Sequence, residues 1–583
     1  MRIQGSHLIL PLYVAAALAL IGPTGAKFST SIPSSRVAFD PGLQAFLIGW
    51  DWHALTREPL RVFDAPIFHP EPRTLTYMDH MLGETAAAAP VLWLTGSVAA
   101  AYNILVVLSF ALSAWATYRL VRLLGVSRLG AGLSGFLFAF SPYRYANLDL
   151  LNQLQTQFLP LGLFFAVRYL QRWKVRDVVG VAATVVAQIY FGWYYAYYLV
   201  VALALLVAYK LVQGSWRPPR EHGRAYALIA LLSLATVAPV TWPYLERRLE
   251  LPEFRRSLGE TALYSADLLD YLKTNPTSVL ASAARLPTGG QAYFPGLVAA
   301  ALGALGAWAV WARRHLSSAG KSPRRVTQAW GDAGYFLLLA PTAAVLSLGP
   351  ILHVAGARLW IPLPYSVLYF LVPGFSAMRA PARLAVLVLL ACVVLAGVGF
   401  KLVEARLRES RPFAWKGAVA AMFGIAILGA WVRPVSLLEL PAARSMPGAY
   451  AWLAQQPDKA PVLELPVPAR DADESETHAL RQYGILLHGH PRLDGCSGFV
   501  SRRYRAFRAE IQSFPRDQAL HAAGGMGARW IIVHYGDYAG GRADSLRNRI
   551  ESEPRLGFAR RFGEDVVYEL RSGGPEPAPK EGG

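Results

Sequence analysis

Long apolar segments separated by short basic clusters run along most of the 583 residues and constrain the fold more than any other feature. About eleven of these segments occur, and most approach the ~20 residues that a helix needs to cross a bilayer. Only 16% of the residues are charged, whereas a soluble domain carries about 25%. A single soluble core would show mixed amphipathic periods instead. The pattern predicts an all-α polytopic membrane domain over residues 1–433.

The basic residues predict how the chain is oriented in the membrane. Arg and Lys occupy every second connection between apolar segments, and the short connections of opposite parity hold almost none. This asymmetry predicts a cytoplasmic N-terminus and an extracytoplasmic C-terminal domain. It also accounts for the net charge of +19, and no basic face with interleaved aromatic residues predicts a nucleic-acid partner. The predicted spans are residues 7–25, 98–118, 129–146, 156–172, 177–192, 194–212, 225–244, 292–312, 333–352, 383–402 and 416–433.

Residues 1–26 admit a second interpretation. Arg2 precedes the apolar stretch Leu8–Gly22 and then small residues, as in a cleaved signal peptide. A retained signal-anchor is the simpler interpretation, because further apolar segments follow. In both cases residues 26–97, named here the first long loop, are predicted to lie outside the cytoplasm.

Two more long connections and the C-terminal region differ in composition from the spans. The connections cover residues 245–291 and 351–382, and the prolines of the latter predict an interfacial segment. Residues 440–572 read as a small α/β domain, and residues 573–583 as a disordered tail. The elements predicted in the domain are helices over 448–456 and 516–524, strands over 461–467 and 529–534, and a hairpin over 558–570.

The first long loop carries most of the residues suited to chemistry. The middles of the spans hold no Asp, Glu or Lys, which argues against ion-coupled transport. Within the loop, Gly42–Leu55 and Gly83–Gly96 read as interfacial helices with acids nearby. A carboxylate at the membrane–water boundary is suited to act as a general base towards an acceptor hydroxyl. The structural alternative is that Asp40 caps a helix and that His53 is a packing residue. No histidine or cysteine spacing predicts a metal site.

Arginines and aromatic residues form two further candidate groups. Arg379 and Arg383 straddle the start of a span, where guanidinium groups either bind lipid phosphate or anchor the helix end. Tyr194 and Tyr195 belong to an aromatic cluster over residues 190–198. This cluster is either an interfacial belt or a wall of a groove that binds a sugar or a lipid.

A series of short motifs follows the same order as the spans. They are Asp40, WDWH at 50–53, FDAPIFHP at 63–70, TLTYMDH at 74–80, FAFSPYR at 138–144, QLQTQ at 153–157 and MRAPAR at 378–383. Together they resemble the GT-C superfamily of integral membrane glycosyltransferases, which includes protein O-mannosyltransferases and lipid A aminoarabinose transferases. The resemblance covers about residues 1–433, and the C-terminal domain is similar to one often appended in this bacterial group.

The resemblance implies a polyprenyl-phosphate-linked sugar donor and an acid of the first long loop as the base of an inverting transfer. The base would be Asp40, with Asp79 and His80 as a second polar pair. Many superfamily members have an adjacent acidic pair where this chain has Asp40-Pro41, which keeps Asp51 as a rival. The remaining site residues would be Arg379, Arg383 and Arg144 on the donor phosphate, and His53, Gln153, Gln157, Tyr194 and Tyr195 in the substrate groove.

The sequence thus predicts a multi-pass glycosyltransferase of the bacterial inner membrane. Its acceptor would be an extracytoplasmic glycan, lipid or protein. The alternative is a non-catalytic or transport protein that handles lipid-linked saccharides in envelope assembly. The residues leave open which sugar is transferred and whether a divalent metal ion, Mg²⁺ or Mn²⁺, takes part.

Overall fold

The computed structural model describes residues 8–21, 25–34, 39–251, 253–289, 292–316, 324–411, 413–432, 435–441, 446–470 and 473–571. The predicted disordered tail, residues 573–583, lies outside these ranges, as do residues 1–7 of the N-terminal segment.

Helices form most of the described chain, and eight short strands accompany them. The helices are α1 Ile9–Leu20, α2 Phe39–Arg57, α3 Leu82–Thr95, α4 Val98–Leu123, α5 Arg128–Ala139, α6 Pro142–Ala146, α7 Leu151–Leu154, α8 Phe158–Arg172, α9 Val175–Tyr190, α10 Trp193–Val212, α11 Gly223–Glu250, α12 Leu258–Leu263, α13 Val279–Ala283, α14 Leu297–Leu316, α15 Arg324–Ser347, α16 Tyr365–Leu371, α17 Ala385–Ser410, α18 Trp415–Ala430, α19 Gly448–Ala454, α20 Glu476–His488, α21 Arg502–Ile511, α22 Asp517–Gly525 and α23 Arg542–Glu551. The strands are β1 Ser31–Ser34, β2 Ile351–Val354, β3 Ala357–Pro362, β4 Ser436–Glu439, β5 Val462–Leu465, β6 Trp530–His534, β7 Leu556–Phe562 and β8 Asp565–Leu570.

The chain divides into two compact units. The helical unit comprises Met1–Gly25 and Tyr102–Leu437, and the mixed unit comprises Ala26–Ala101 and Leu438–Gly583. This division differs from the predicted one, which placed the first long loop with the spans. In the structure the loop belongs to the same unit as the C-terminal α/β domain.

In the helical unit every predicted span overlaps a helix. Among the described residues, four helices are long and apolar enough to cross a membrane by themselves: Val98–Leu123, Trp193–Val212, Arg220–Glu250 and Pro381–Ser410. Several others, such as α1 and α18, are apolar but shorter. The prediction of a helical domain with several apolar helices is therefore confirmed, and the number of spans stays a prediction.

Glycines let two central helices of this unit approach closely. A Cβ on Gly306 of α14 would lie 1.9 Å from the carbonyl oxygen of Leu395, and one on Gly399 of α17 would lie 2.0 Å from that of Leu302. Small residues at such crossings allow van der Waals contact between helix backbones, which is the main attraction between helices in lipid. The glycine of α17 therefore stabilises the unit by allowing this close contact, in addition to the packing of the apolar side chains of the helix.

The mixed unit is built on a four-stranded sheet in the order β5-β6-β8-β7. Strand β6 lies in its interior, parallel to β5 and antiparallel to β8, with Val462 opposite Trp530. The hairpin of β7 and β8 turns at Gly563, whose φ of +62° favours glycine. The predicted central strand and hairpin are confirmed. The helices predicted over 448–456 and 516–524 correspond to α19 and α22. Val462, Ile532 and Val567 lie in the buried core.

Helix α2 of the first long loop packs within this unit against α20. A Cβ on Gly42 would lie 3.1 Å from the Cβ of Ala479, and one on Gly49 would lie 2.3 Å from a methyl group of Leu486. Most residues of α2 are buried. The expected interfacial character of Gly42–Leu55 is therefore wrong in its main point, because protein rather than lipid covers much of this apolar helix.

Candidate functional site

Two buried carboxyl groups form the centre of the candidate site in the mixed unit. Asp51 of α2 and Glu84 of α3 are both 0% exposed. The backbone N–H of Met81 donates to Oδ2 of Asp51 over 3.2 Å. No other residue of the described chain forms a hydrogen bond with either carboxyl oxygen of Glu84. Burial raises the pKa of both carboxyl groups well above their ordinary values, and the charges of Asp51 and Asp79 add to the effect at Glu84.

This arrangement argues against Asp51 as the base. Burial disfavours the ionised form of a carboxyl group, and the protonated form is a far weaker base towards an acceptor hydroxyl. His80 is also 0% exposed, and burial lowers its pKa to about 3, so that its imidazole is neutral. Asp79, the neighbour of His80, is half-buried and therefore accessible to solvent.

Asp40 lies apart from this buried cluster. It is half-buried in the first turn of α2, eleven residues before Asp51. At 1.5 Å per residue the helix places their backbones roughly 16 Å apart. The N-terminus of a helix favours a negative charge, so the position suits an ionised carboxylate as well as a helix cap. The structure therefore brings Asp51, Asp79 and His80 into one region and separates Asp40 from Asp51.

Glu84 is a residue that the sequence interpretation did not include in the site. The signal was present, because Glu84, Ala88 and Leu92 are spaced four residues apart on α3 and share one buried face. An acid on an apolar stripe is expected to be buried. His53, by contrast, is exposed on α2 and stacks on Trp50 with ring centroids 5.7 Å apart. It therefore faces away from Asp51.

The buried acids predict an unusual dependence of stability on pH. A folded-state pKa above the unfolded value means that stability is complete at low pH and declines as the pH rises towards the folded pKa. Glu84→Gln removes the ionisation but keeps a buried polar group, so we expect it to remove this decline and to raise the free energy of unfolding at pH 8 by about 1–3 kcal/mol, since one pKa unit corresponds to about 1.4 kcal/mol. At pH 4.5 the variant and the parent are expected to unfold together.

This stability is measured by heating the protein and following exposure of the Cys496 thiol, which is 3% exposed in the folded mixed unit. The assay uses a thiol-reactive fluorophore on the full-length protein in a Cys392→Ala background. Glu551→Gln, at an exposed carboxyl, is the matched control. Equal slopes of midpoint against pH for Glu84→Gln and the parent would contradict the prediction.

In the helical unit, two arginines and a tyrosine wall form a second candidate group. The backbone N–H of Arg379 donates to the hydroxyl of Tyr194 over 2.8 Å. The guanidinium of Arg383 lies over the ring of Tyr194, 4.4 Å from its centroid. Tyr198, one helical turn further along α10, donates its hydroxyl hydrogen to the carbonyl of Ala380 over 3.1 Å. The start of the MRAPAR segment is thereby held against α10.

Arg379 has partners that the sequence did not reveal. Its guanidinium bonds to the hydroxyl of Tyr264, lies 4.0 Å from the centroid of that ring, and reaches a carboxyl oxygen of Glu260 at 3.3 Å. Glu260 also pairs with Arg256 over 3.0 Å. These residues belong to the second long connection, which carries no motif signal. The side chain of Arg379 is 39% exposed, so an anion can reach it.

Three of the predicted groove residues, Gln153, Gln157 and Tyr195, belong to the helical unit with this group, whereas His53 belongs to the mixed unit. Tyr195 donates to the backbone carbonyl of Gln153 over 2.9 Å, and its hydroxyl lies 3.3 Å from that of Tyr143. The amide of Gln157 donates to Gln155 over 3.0 Å. The side-chain oxygens of Gln153 and Gln157 are buried and accept no hydrogen bond within the described chain. Such oxygens are suited to accept hydrogen bonds from substrate hydroxyl groups.

Arg144 has a different environment from Arg379. It is 0% exposed, and its guanidinium donates to the carbonyl of Leu154 over 2.6 Å and to the hydroxyl of Ser109 over 3.1 Å. It also lies 4.0 Å from the ring centroid of Phe110. These contacts join α4 to the turn after α7 and use most of its donors. They argue for a structural role and against binding of a donor phosphate.

The helical unit also contains a small apolar pocket, lined by Phe136, Phe140, Leu297 and Ile425 together with the hydroxyl-bearing Ser141 and Thr274. Tyr194, Arg379 and Arg383 are not part of its lining.

The described residues contain no cluster of three or more histidine, cysteine or acidic side chains that could hold a metal ion. Burial also disfavours the ionised forms of Asp51 and Glu84, whereas a metal ion requires deprotonated carboxylates.

No protein-family model matches the chain, and no curated protein matches its sequence. Solved structures that resemble it in fold include the following three. Arabinofuranosyltransferase AftD from mycobacteria matches with a TM-score of 0.56 and 14% identity over 98% of this chain and 40% of AftD. The apo oligosaccharyltransferase of Archaeoglobus fulgidus matches with a TM-score of 0.52 and 11% identity over 92% of this chain and 70% of its own.

The third structure is the A. fulgidus oligosaccharyltransferase AglB in complex with an inhibitory peptide and a dolichol-phosphate. Its TM-score is 0.52 and its identity 12%, over 97% of this chain and 74% of AglB. This chain thus spans less than half the length of AftD and about three quarters of that of AglB. At such identities the comparison bears on the fold alone: the chain shares its overall fold with AftD and with the A. fulgidus oligosaccharyltransferase.

Proposed function

We propose that this protein is a membrane glycosyltransferase that moves a sugar from a polyprenyl-phosphate donor to an extracytoplasmic acceptor. One observation carries the proposal: Arg379, through its backbone N–H, and Arg383, through its guanidinium, both contact Tyr194, and the side chain of Arg379 is accessible to an anion. Two neighbouring guanidinium groups are suited to bind the phosphate of a lipid-linked sugar. AglB has been solved with a dolichol-phosphate, a lipid of the same chemical class.

The proposed reaction is a displacement at the anomeric carbon. A carboxylate of the first long loop, Asp40 or Asp79, takes the proton of the acceptor hydroxyl, whose oxygen attacks the sugar. The bond between the anomeric carbon and the phosphate oxygen breaks, and the lipid phosphate leaves with the electron pair. Arg379 and Arg383 stabilise the negative charge that develops on this phosphate. No covalent enzyme intermediate is needed, and the configuration inverts.

The proposed environment follows from the charge pattern. The N-terminus lies in the cytoplasm of a bacterial cell, and the first long loop, the MRAPAR segment and the C-terminal domain lie on the outer side of the inner membrane. A lipid-linked donor presents its headgroup at this membrane surface. The acceptor is a glycan, a lipid or a protein on the same side.

The two arginines supply the test of this proposal. We expect Arg379→Gln and Arg383→Gln each to lower kcat on the order of 10²-fold, the usual loss when one donor to a developing negative charge is removed. The measurement is transfer of radiolabelled sugar from polyprenyl-phosphate donors to envelope extracts by the full-length protein in nanodiscs. Lysine at either position is expected to restore part of the rate, since it keeps the charge without the fork.

Arg358→Gln is the matched control, because Arg358 is an exposed arginine of β3 outside this group. Retention of wild-type kcat by the Arg379→Gln and Arg383→Gln double variant would overturn the assignment of the phosphate site. Absence of transfer from every polyprenyl-phosphate sugar, with lipid movement in its place, would overturn the enzymatic proposal.

A further inference from the structure

Main-chain hydrogen bonds join the first long loop to the edge of the C-terminal sheet. The N–H of Arg492 donates to the carbonyl of Pro66 over 3.0 Å, and the N–H of His69 donates to the carbonyl of Arg492 over 2.9 Å. On its other side the same segment pairs with β5, where the N–H of Leu493 donates to the carbonyl of Val462 over 3.0 Å. Loop residues 66–69 therefore continue the hydrogen bonding of the sheet beyond its outermost strand.

Side chains strengthen this junction around one half-buried residue, Glu71. Both oxygens of the Glu71 carboxylate are occupied: the hydroxyl of Ser501 donates to Oε1 over 2.5 Å, and the hydroxyl of Tyr77 donates to Oε2 over 2.6 Å. Hydrogen bonds to a charged acceptor are about twice as strong as neutral ones. Ser501 also caps α21 by accepting the N–H of Tyr504 over 3.0 Å. The carboxylate thus links the start of α21 to the loop.

The loop between these contacts has a strained backbone. Phe68 and Arg73, neither of them glycine, have φ values of 54° and 55°. Such conformations cost of order 1–3 kcal/mol each and persist only where the surroundings hold them. The ring of Phe68 packs edge-on against Tyr504 at 4.7 Å, and its N–H donates to the carbonyl of Asp494 over 3.2 Å. The C-terminal domain supplies both contacts.

From these observations we infer that the C-terminal α/β domain is a positioning element for the first long loop, with Glu71 and Ser501 as its positioning residues. Tyr77, which donates to Glu71, lies two residues before Asp79 and three before His80 in the chain. Tyr77 is packed in turn against Phe499 of the domain, with ring centroids 5.2 Å apart. The domain therefore sets the place of the loop that carries the polar pair, and its consequence for transfer rests on the proposed function.

Ser501 variants test the inference, because they separate the cap from the link. Ser501→Asp can still cap α21, but its carboxylate repels Glu71; Ser501→Thr keeps both functions. We expect Ser501→Asp to increase amide hydrogen exchange over residues 72–82 on the order of 10–100-fold in the full-length protein in nanodiscs, the effect of losing one charge-assisted bond. Ser501→Thr is expected to retain the exchange rate of the parent.

Exchange in β6 and β8 of the same protein is the internal reference. We expect it to stay unchanged in Ser501→Asp, since both strands lie in the interior of the sheet. Unchanged exchange over 72–82, or an equal increase in β6, would overturn the inference. The exchange measurement needs no activity, so it separates failure of this inference from failure of the proposed function. In an active preparation, Ser501→Asp is also expected to lower kcat while leaving the KM for the donor unchanged.

Discussion

Replacing Arg492 by leucine is expected to destabilise the mixed unit by about 3–5 kcal/mol, the usual effect of removing one partner from a buried ion cluster. Arg492 is 1% exposed and bonds to both carboxyl oxygens of Asp494, at 2.9 and 2.6 Å. It also lies 3.4 Å from a carboxyl oxygen of Glu464, which is 0% exposed. Leucine fills much of the space but leaves two carboxylates with uncompensated charge.

The state of Glu464 shows how much this cluster depends on Arg492. Burial by itself opposes ionisation, yet Arg492 and His534 together hold the pKa of Glu464 well below its ordinary value. Tyr450 donates to the same carboxylate over 2.8 Å, and His534 lies 3.2 Å from it. In Arg492→Leu this carboxyl loses its strongest partner, so its pKa rises and the folded state loses the stability that ionisation supplied.

Thermal exposure of the Cys496 thiol, in the Cys392→Ala background, measures the loss. Arg470→Gln is the matched control, because its ion pair with Asp473 lies on the surface, with the arginine side chain 79% exposed. The control is expected to unfold with the parent, since exposed pairs contribute little. A midpoint for Arg492→Leu that coincides with that of Arg470→Gln would show that the cluster does not hold the unit together.

The elements that local pattern determines were predictable from the sequence. Each apolar segment formed a helix, because its length and composition leave few alternatives. RWIIVH, a short run rich in β-branched residues, formed the interior strand β6, and Gly563 with Glu564 formed the expected hairpin turn.

The association of the first long loop with the C-terminal domain was not predictable in the same way. It depends on backbone bonds between residues 66–69 and 492–494, which leave no mark on side-chain periodicity. The seven-residue spacing of Gly42 and Gly49 was a weak signal of a close helix contact, but lipid and protein select the same apolar composition. For this reason α2 read as an interfacial helix.

The candidate residues show the same difference between features set by local sequence and features set by long-range contacts. Arg379, Arg383 and Tyr194 were predictable because they belong to dense local motifs, and the structure places them in contact. The burial of Asp51, Glu84 and Arg144 depends on neighbours distant in sequence. The sequence could show that an acid was present, but not that it would be protonated.

This difference in burial leads to the second prediction with a large effect. Asp40→Asn is expected to lower kcat by roughly 10²–10⁴-fold, the usual contribution of a general base. Asp40 lies within the first turn of α2 and asparagine has nearly the same shape, so we expect this turn to remain folded with the loss of one favourable charge at the helix N-terminus. The loss should therefore come with an unchanged unfolding midpoint and an unchanged KM for the lipid donor.

Asp51→Asn is the matched control on the same helix. Because burial raises the pKa of Asp51 and so favours its neutral form, an amide of the same shape is a close replacement, and we expect wild-type turnover. Asp79→Asn distinguishes the two remaining carboxylates. A loss of kcat as large as that of Asp40→Asn would indicate that the two acids act together, and a larger loss would identify Asp79 as the base. If turnover survives in the Asp40→Asn and Asp79→Asn double variant but fails in Asp51→Asn, the base is the buried acid. Asp51 would then have to become exposed and ionised before each transfer, and this requirement would appear as a rate that rises with pH.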